Sequence, residues 1–334
     1  MNRERLQELL SGAKNARITV LGDFCLDKYL YIDATLDEPS LETGLTAFQV
    51  TGRKLSPGGA GNVCANLAAL GAKVLALGVI GDDGEGYDLL RALDVRGIDN
   101  ALVRTDSRCT STYVKPMRSG PDGYTEQNRL DLKNFAPLAA EDEAALLVSL
   151  RKAAKESDAI LVVDQFLEED CGTVNRRVKD ALAEIAKENP GLVIFADSRA
   201  YIHTFRECVI KCNNFEAVRI FDPKNSEPTP EEVSAAGRKL AEKQGRPVFV
   251  TLGGDGMLVF DRGEPQHVPT VECEGPFDFC GAGDSASAGI TLALALGASP
   301  AEAAALGNMV ASVTIRKIGE TGTASPEELL ALFN

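Results

Sequence analysis

Several short stretches combine residue types that could do chemistry, and Gly281-Ala282-Gly283-Asp284 is the sharpest of them. Three small residues precede a lone carboxylate, and the chain then continues as a nearly uncharged run of Ala, Ser and Gly that reads as a buried helix. The first N–H groups of a helix have no intrahelical acceptor and lie at its positive end, so such a start suits an anion. Beside bound phosphates Asp284 would be repelled unless it had a task. A carboxylate that takes the proton of an attacking hydroxyl, while amides hold the phosphoryl group in transfer, has that task. An Asp N-cap ahead of a buried helix is the plain alternative.

Four further stretches follow apolar runs, where open α/β sheets place ligands beyond the carboxyl ends of their strands. Gly22-Asp23-Phe24-Cys25-Leu26-Asp27 holds two carboxylates four apart, readable also as solvated loop acids. Pro57-Gly58-Gly59-Ala60-Gly61 lets backbone approach a ligand, and the amides of Asn62 and Asn66 can each donate to and accept from a polyol. The same run could be a turn starting a helix that packs through Ala65, Ala68 and Ala69. Asn213 and Glu216 stand three apart, and Thr251-Leu252-Gly253-Gly254-Asp255-Gly256 ends a strand in a glycine turn. Each pattern is common by chance. Their order along one chain gives them weight.

The elements that must position these residues alternate. Short β-branched runs at Ile18–Leu21, Val74–Ile80, Ala159–Val163, Leu192–Ala196, Val248–Leu252 and Met257–Phe260 are interleaved with helix-like segments at Glu141–Glu156, Val174–Lys187 and Glu231–Gln244. Such alternation predicts an α/β fold with a mostly parallel sheet covered on both faces. Thr229-Pro230-Glu231-Glu232, Ser299-Pro300-Ala301-Glu302 and Ser325-Pro326-Glu327-Glu328 each offer a hydroxyl cap, a proline at the first helical position and a Glu to close a capping box. Two stretches break the alternation. Tyr29–Lys54 reads as polar and irregular, and Thr110–Asp131 as two strands joined across Ser119-Gly120-Pro121-Asp122-Gly123. We expect them to form a small β lid, residues 29–54 and 110–131, on a single domain spanning residues 1–334, since no repeat, low-complexity tract or linker divides the chain.

Composition narrows the partners. With 334 residues the chain can bury a full core. Its 35 Lys+Arg against 49 Asp+Glu leave a net charge of −14, which argues against nucleic acid and anionic membranes. Eight scattered cysteines without a CxxC pair read as reduced thiols, and with only His203 and His267 a zinc site is set aside. The start MNRERLQELLSGAKNA mixes charges with helix-spaced leucines, unlike a signal peptide. No uncharged stretch is long enough to span a bilayer. A soluble, cytoplasmic protein is expected.

Taken together, Gly58–Gly86 and Asp278–Thr291 resemble the two signatures of the PfkB family of carbohydrate kinases, in the right order and separation. Within that family GDFCLDKY, PGGAGNVCANLAALGA, QNRLD and IRKIGETGTASPEEL are similar to the kinase domain of bacterial heptose-phosphate kinases, without room for the nucleotidyltransferase domain often fused to it. The resemblance implies a ribokinase-like three-layer αβα sandwich, a nine-stranded type of central sheet, a β lid, ATP and Mg²⁺. It implies transfer of the γ-phosphoryl group to a hydroxyl of a sugar or sugar phosphate, a heptose phosphate among them. Carried over by position, Asp284 matches the catalytic base and the backbone of Gly281, Ala282 and Gly283 the anion hole. Asn213 and Glu216 match the pair that organises Mg²⁺ and phosphate, Glu216 through water. Thr251, Gly253 and Gly256 match the nucleotide loop, with Asn308 near the adenine. Asp27, Gly58, Gly59 and Asn62 match the sugar-binding set. For a phosphorylated sugar Lys115, Arg118 and Arg129 of the lid are the candidate cations, or else solvated strand edges. Asp278 is the candidate ligand for a monovalent cation such as K⁺, although Phe279 and Cys280 stand where hydroxyl residues are common. Val163-Asp164-Gln165-Phe166 and Asp197-Ser198-Arg199 likewise depart from the heptose-kinase runs Asp-Tyr-Gly-Lys and Asp-Pro-Lys. A kinase for fructose, ribose or another small sugar, and an inactive sugar- or nucleotide-binding protein, are the alternatives. A dinucleotide oxidoreductase is not, because the first strand ends in GDFCLD rather than GxGxxG. Lid strands of this family often pair between subunits, so a homodimer through the lid is expected.

Overall fold

A computed structural model describes residues 1–273, 275–319 and 321–333, so Glu320 of the run IRKIGETGTASPEEL lies outside the described residues. The central sheet has nine strands in the spatial order Gln266–Val268, Met257–Phe260, Val248–Thr251, Val209–Asn213, Val193–Ser198, Ala159–Asp164, Arg17–Gly22, Lys73–Leu77 and Asp99–Asn100. All neighbours are parallel except at one edge, where Met257–Phe260 runs antiparallel to both of its neighbours. Parallel strands buried on both faces need side chains that are apolar throughout, and all six residues of Ala159–Asp164 are buried.

The helices are α1 (Arg3–Ala13), α2 (Ala60–Ala69), α3 (Gly84–Asp94), α4 (Ala140–Glu156), α5 (Arg176–Glu188), α6 (Asn214–Arg219), α7 (Pro230–Gln244), α8 (Ala282–Ala295), α9 (Pro300–Thr314) and α10 (Pro326–Ala331). One face of the sheet is covered through Leu6, Val63, Leu89, Ile290, Leu306 and Leu329 of α1, α2, α3, α8, α9 and α10. The other is covered through Leu146, Val178, Ala217 and Leu240 of α4, α5, α6 and α7. The Ala- and Gly-rich composition of α8 allows α9 to approach closely. A Cβ on Gly289 would stand 3.0 Å from the Gly307 Cα, and one on Gly307 2.7 Å from Ile290 Cγ1.

The lid is a sheet of its own, in the order Gly123–Glu126, Ser111–Gly120, Phe24–Ile32 and Val50–Gly59, with Leu130–Leu132 also paired to Ser111–Gly120. The hairpin turns where expected, with Gly120 opposite Gly123. Tyr29–Lys54 is less irregular than expected. Strands enter it from Phe24 and leave it as far as Gly59, so the lid is larger than residues 29–54 and 110–131. Two candidate site runs are thereby the roots of lid strands, with Cys25 opposite Gly58 and Asp27 opposite Ser56.

The run Val74–Ile80 also behaves differently from a single strand. It breaks at Gly78, where a Cβ would stand 2.5 Å from the Gly22 carbonyl oxygen, and Val79–Gly81 leaves the main sheet to pair with Val103–Thr105.

Candidate active site

Helix α8 starts from Gly281 in the left-handed conformation, φ 77°, with no side-chain cap. A Cβ there would stand 2.5 Å from Thr321 Cγ2 and 2.8 Å from Asn62 Nδ2, so only glycine serves. The Ser285 N–H is the first to find a helical acceptor, the Gly281 carbonyl at 2.9 Å. Against expectation the Ala282 N–H is engaged, closing a turn onto the Phe279 carbonyl at 3.2 Å. Among the described residues nothing accepts from the N–H groups of Gly281, Gly283 or Asp284. The open donors are therefore shifted along the chain from the expected trio.

Asp284 Oδ2 accepts a 2.7 Å hydrogen bond from Asn62 Nδ2. One turn along α2, Asn66 Nδ2 donates to the Asn62 carbonyl at 3.0 Å, which stiffens this start. Burial pushes the Asp284 carboxyl up to about 6, with Asp197 and Asp27 adding to it while Asn62 and Lys211 oppose it. A carboxylate tuned that way is ionised at neutral pH and basic enough to take a proton.

At the root of the lid, Asp27 Oδ1 is 3.0 Å from Lys115 Nζ, both largely buried. The ammonium also donates to Tyr29 Oη at 3.1 Å and lies over that ring. Gly58 leaves room for this carboxylate, since a Cβ on it would stand 2.9 Å from Asp27 Oδ2. The other lid cations are spoken for as well. Arg118 pairs with Asp37 and stacks on Phe48, and Arg129 grips both oxygens of Asp131 at 2.6 and 2.8 Å.

Ala282 and Gly283 also line a cavity of about 560 Å³, whose walls include Thr251, Gly253, Gly256, Phe279 and Asn308. Asn308 faces it, yet its Nδ2 is committed to the carbonyls of Val268 and Pro269 at 3.0 and 3.1 Å. Asn213 and Glu216 form the capping box of α6, the Asn213 N–H donating to Glu216 Oε2 and the Glu216 N–H to Asn213 Oδ1, both at 2.8 Å. Burial raises the Glu216 carboxyl, the Asn213 N–H opposing. Asp278 ties a loop, its two oxygens accepting from the N–H of Cys280 at 3.0 Å and of Gly319 at 3.1 Å.

The profile of the pfkB family carbohydrate kinases matches residues 17–328 of this sequence. The chain belongs to that family. Among its relatives is the Bifunctional protein HldE of Geobacter metallireducens, 30% identical over 333 residues that cover 99% of this chain and 65% of that protein. The protein of the same name from Caulobacter sp. strain K31 is 31% identical over 342 residues, covering 98% of this chain and 65% of its own length. The chain thus spans 65% of the length of the curated relatives it matches. Two solved structures share the ribokinase-like fold. Arabidopsis thaliana ribokinase complexed with ribose and ATP superposes with a TM-score of 0.69 at 19% identity, over 96% of this chain and 99% of that one. Phosphofructokinase-2 from Escherichia coli in complex with substrates and products gives 0.73 at 19% identity, over 95% and 98%.

In this pfkB-family site two features escape a reading of the sequence. Asp23, the first acid of GDFCLD, is buried and accepts from the N–H groups of Gln165 at 2.8 Å and Thr173 at 2.6 Å, holding a loop rather than facing the cleft. Burial, with Asp164 adding, pushes it up to about 6. Lys211, in a run read only for its Asn and Glu, is buried with its ammonium 2.7 Å from Asp197 Oδ2. A lysine inside an apolar strand run, IKCN, was the available signal.

Proposed function

We propose that this chain transfers the γ-phosphoryl group of ATP to a hydroxyl of a sugar or sugar phosphate, with a heptose phosphate as the leading acceptor. The observation that carries this reading is the start of α8, where amides without acceptors and a carboxylate raised to about 6 lie together beside the cavity that Ala282 and Gly283 line. Asp284 takes the proton of the acceptor hydroxyl, and the oxygen attacks the phosphorus as the bond to ADP breaks. The N–H groups of Gly283 and Asp284 meet the charge on the equatorial oxygens. Asp27 and Asn62 orient the polyol, with Gly58 and Gly59 offering backbone. Thr251, Gly253 and Gly256 line the nucleotide cavity, and Asn308 shapes its wall rather than reading the base with its amide hydrogens.

Glu216, whose second oxygen is outside the capping box, together with Asn213 would hold Mg²⁺ through water. Bound there, the ion would neutralise charge on the phosphates. Asp278 is the candidate ligand for a monovalent cation such as K⁺: each of its oxygens accepts one backbone N–H and keeps a further lone pair for an ion. We take residues 1–334 as one kinase domain. Exposed apolar side chains on the lid side, Leu41, Leu45, Phe48 and Leu130, support a homodimer formed there. Eight free cysteines support a reducing, cytoplasmic setting, and no helix among the described residues is long and apolar enough to cross a membrane.

One observation favours a second reading. Lys115, Arg118 and Arg129 each already have a carboxylate partner, which suits an uncharged acceptor such as fructose or ribose better than a phosphorylated one. ADP release with MgATP and a panel of fructose, ribose, their monophosphates and heptose 7-phosphates separates the readings. Highest kcat/KM on a heptose phosphate supports the first, highest on a free sugar the second. ADP release that no acceptor raises above the acceptor-free rate overturns both and leaves a binding protein.

A further inference from the structure

The buried pair beneath the first turn of α8 is not used by the reading above. Lys211 and Asp197 are register partners on the neighbouring parallel strands Val209–Asn213 and Val193–Ser198. Their side chains are only 7% and 14% exposed, and Nζ lies 2.7 Å from Asp197 Oδ2. The same ammonium is 3.3 Å from the Gly283 carbonyl oxygen, to which it donates. From α8 itself Ser287 Oγ lies 2.8 Å from Asp197 Oδ2 and 2.9 Å from the Gly283 oxygen, sharing its proton between them. Sheet and helix are thus joined at one backbone carbonyl, that of the residue before Asp284. A Cβ on Gly283 would stand 3.2 Å from Nζ, so the glycine also admits the ammonium to the backbone.

Burying an ion pair costs several kcal/mol in desolvation, and apolar residues would hold a strand to a helix at least as well. Retaining a lysine here calls for a local task. With Asp197 Oδ2 2.7 Å away, the ammonium is one half of a direct ion pair.

We propose that Lys211 is a positioning residue for phosphoryl transfer: from the sheet it grips the carbonyl of Gly283 and so fixes the turn that presents the open amides and Asp284. Its charge has a second effect. Asp284 is faced by Asn62 from α2, Asp27 from the lid, and Asp197 and Lys211 from the sheet, and of these charged groups Lys211 favours its ionised form; the Lys115 ammonium stands farther off, paired with Asp27. Losing that charge leaves a base that protonates at higher pH.

The inference rests on Asp284 acting as the base, and Asp284→Asn is assayed alongside so that the two can fail separately. Lys211→Met, Lys211→Arg and Ser287→Ala are compared with the unmodified chain in steady-state assays with MgATP and the panel acceptor of highest kcat/KM. Lys211→Met is expected to lower kcat about 10²-fold, with the acceptor KM changed less than about threefold. The acid limb of kcat/KM moves up by about one pH unit, and Lys211→Arg recovers about tenfold in kcat. If Lys211→Met does not fold, Ser287→Ala, which weakens the same grip, carries the test through a kcat loss of about fivefold at unchanged KM. A merely structural lysine would lower the melting temperature and leave the acid limb in place. That outcome, or turnover within threefold of the unmodified chain in the folded variants, overturns the inference. Near-normal turnover in Asp284→Asn overturns the base itself, and with it this proposal; an inactive Asp284→Asn beside a fully active Lys211→Met removes Lys211 alone.

Discussion

Helices α7, α9 and α10 begin in the opposite way to α2 and α8. Each of the first three opens with Thr or Ser, then proline, and closes a reciprocal capping box with the Glu at the third helical position. Their first turns are sealed by their own side chains. By contrast α2 and α8 open from Gly59 and Gly281 at φ 56° and 77°, and neither has a side-chain cap. Both uncapped starts meet at Asn62 and Asp284. A capped start contributes about 1 kcal/mol to the fold. One left open forgoes that stabilisation and keeps donors for a ligand. Helix α6 combines both habits, since its box is made by Asn213 and Glu216 while one Glu216 oxygen stays outside it.

Four measurements would break or sharpen this contrast. Replacing Asp284 with Asn should have the largest effect, a loss of about 10²–10⁴ in kcat with little change in KM; retention of most turnover would reduce the open start to a packing feature. Next, Gly281→Ala must force a side chain into a left-handed position against Thr321 and Asn62. We expect about 1–3 kcal/mol of lost stability, read from denaturant unfolding, and at least tenfold lower kcat; an unaltered variant would mean that the start tolerates a cap. Third, pH should act on activity and stability in opposite senses. Asp284 must be ionised to work, so kcat/KM falls as pH drops through about 6. The same raised value means that the fold prefers it protonated. That stability is fully present below the ordinary carboxylate range and is lost as pH rises through about 6, and Asp23 behaves likewise. The melting temperature should therefore decline between pH 5 and 7, and less steeply in Asp284→Asn; a rise over that interval would contradict the burial of these acids. Smallest is Ser325→Ala at the sealed start of α10, which should cost about 1 kcal/mol and leave kcat unchanged. A loss of turnover there would erase the distinction.

Much of the fold was legible because its signals are local. The three Ser/Thr-Pro-x-Glu starts all cap helices, and the buried strands reveal themselves by apolar runs. Glycine patterns located the candidate site, since a left-handed start has few other solutions. Charge pairing was not legible. That Lys115 would meet Asp27, Arg118 Asp37 and Lys211 Asp197 depends on strand register between distant segments. The use of the Ala282 amide in a turn, and of the Asn308 amide in holding residues 268–269, likewise depends on geometry finer than residue spacing. At Gly78 a strand-like composition was overruled by a neighbouring carbonyl.

Asp27 and Gly58 belong to strands that leave the main sheet and its helices and become the lid. Any swing of that sheet relocates two of the groups meant to meet the acceptor while Asp284 stays behind. Were that sheet to close on a seated acceptor, occupancy and closure would be a single equilibrium, a means of telling an acceptor from water that a rigid cleft cut from the same residues would lack.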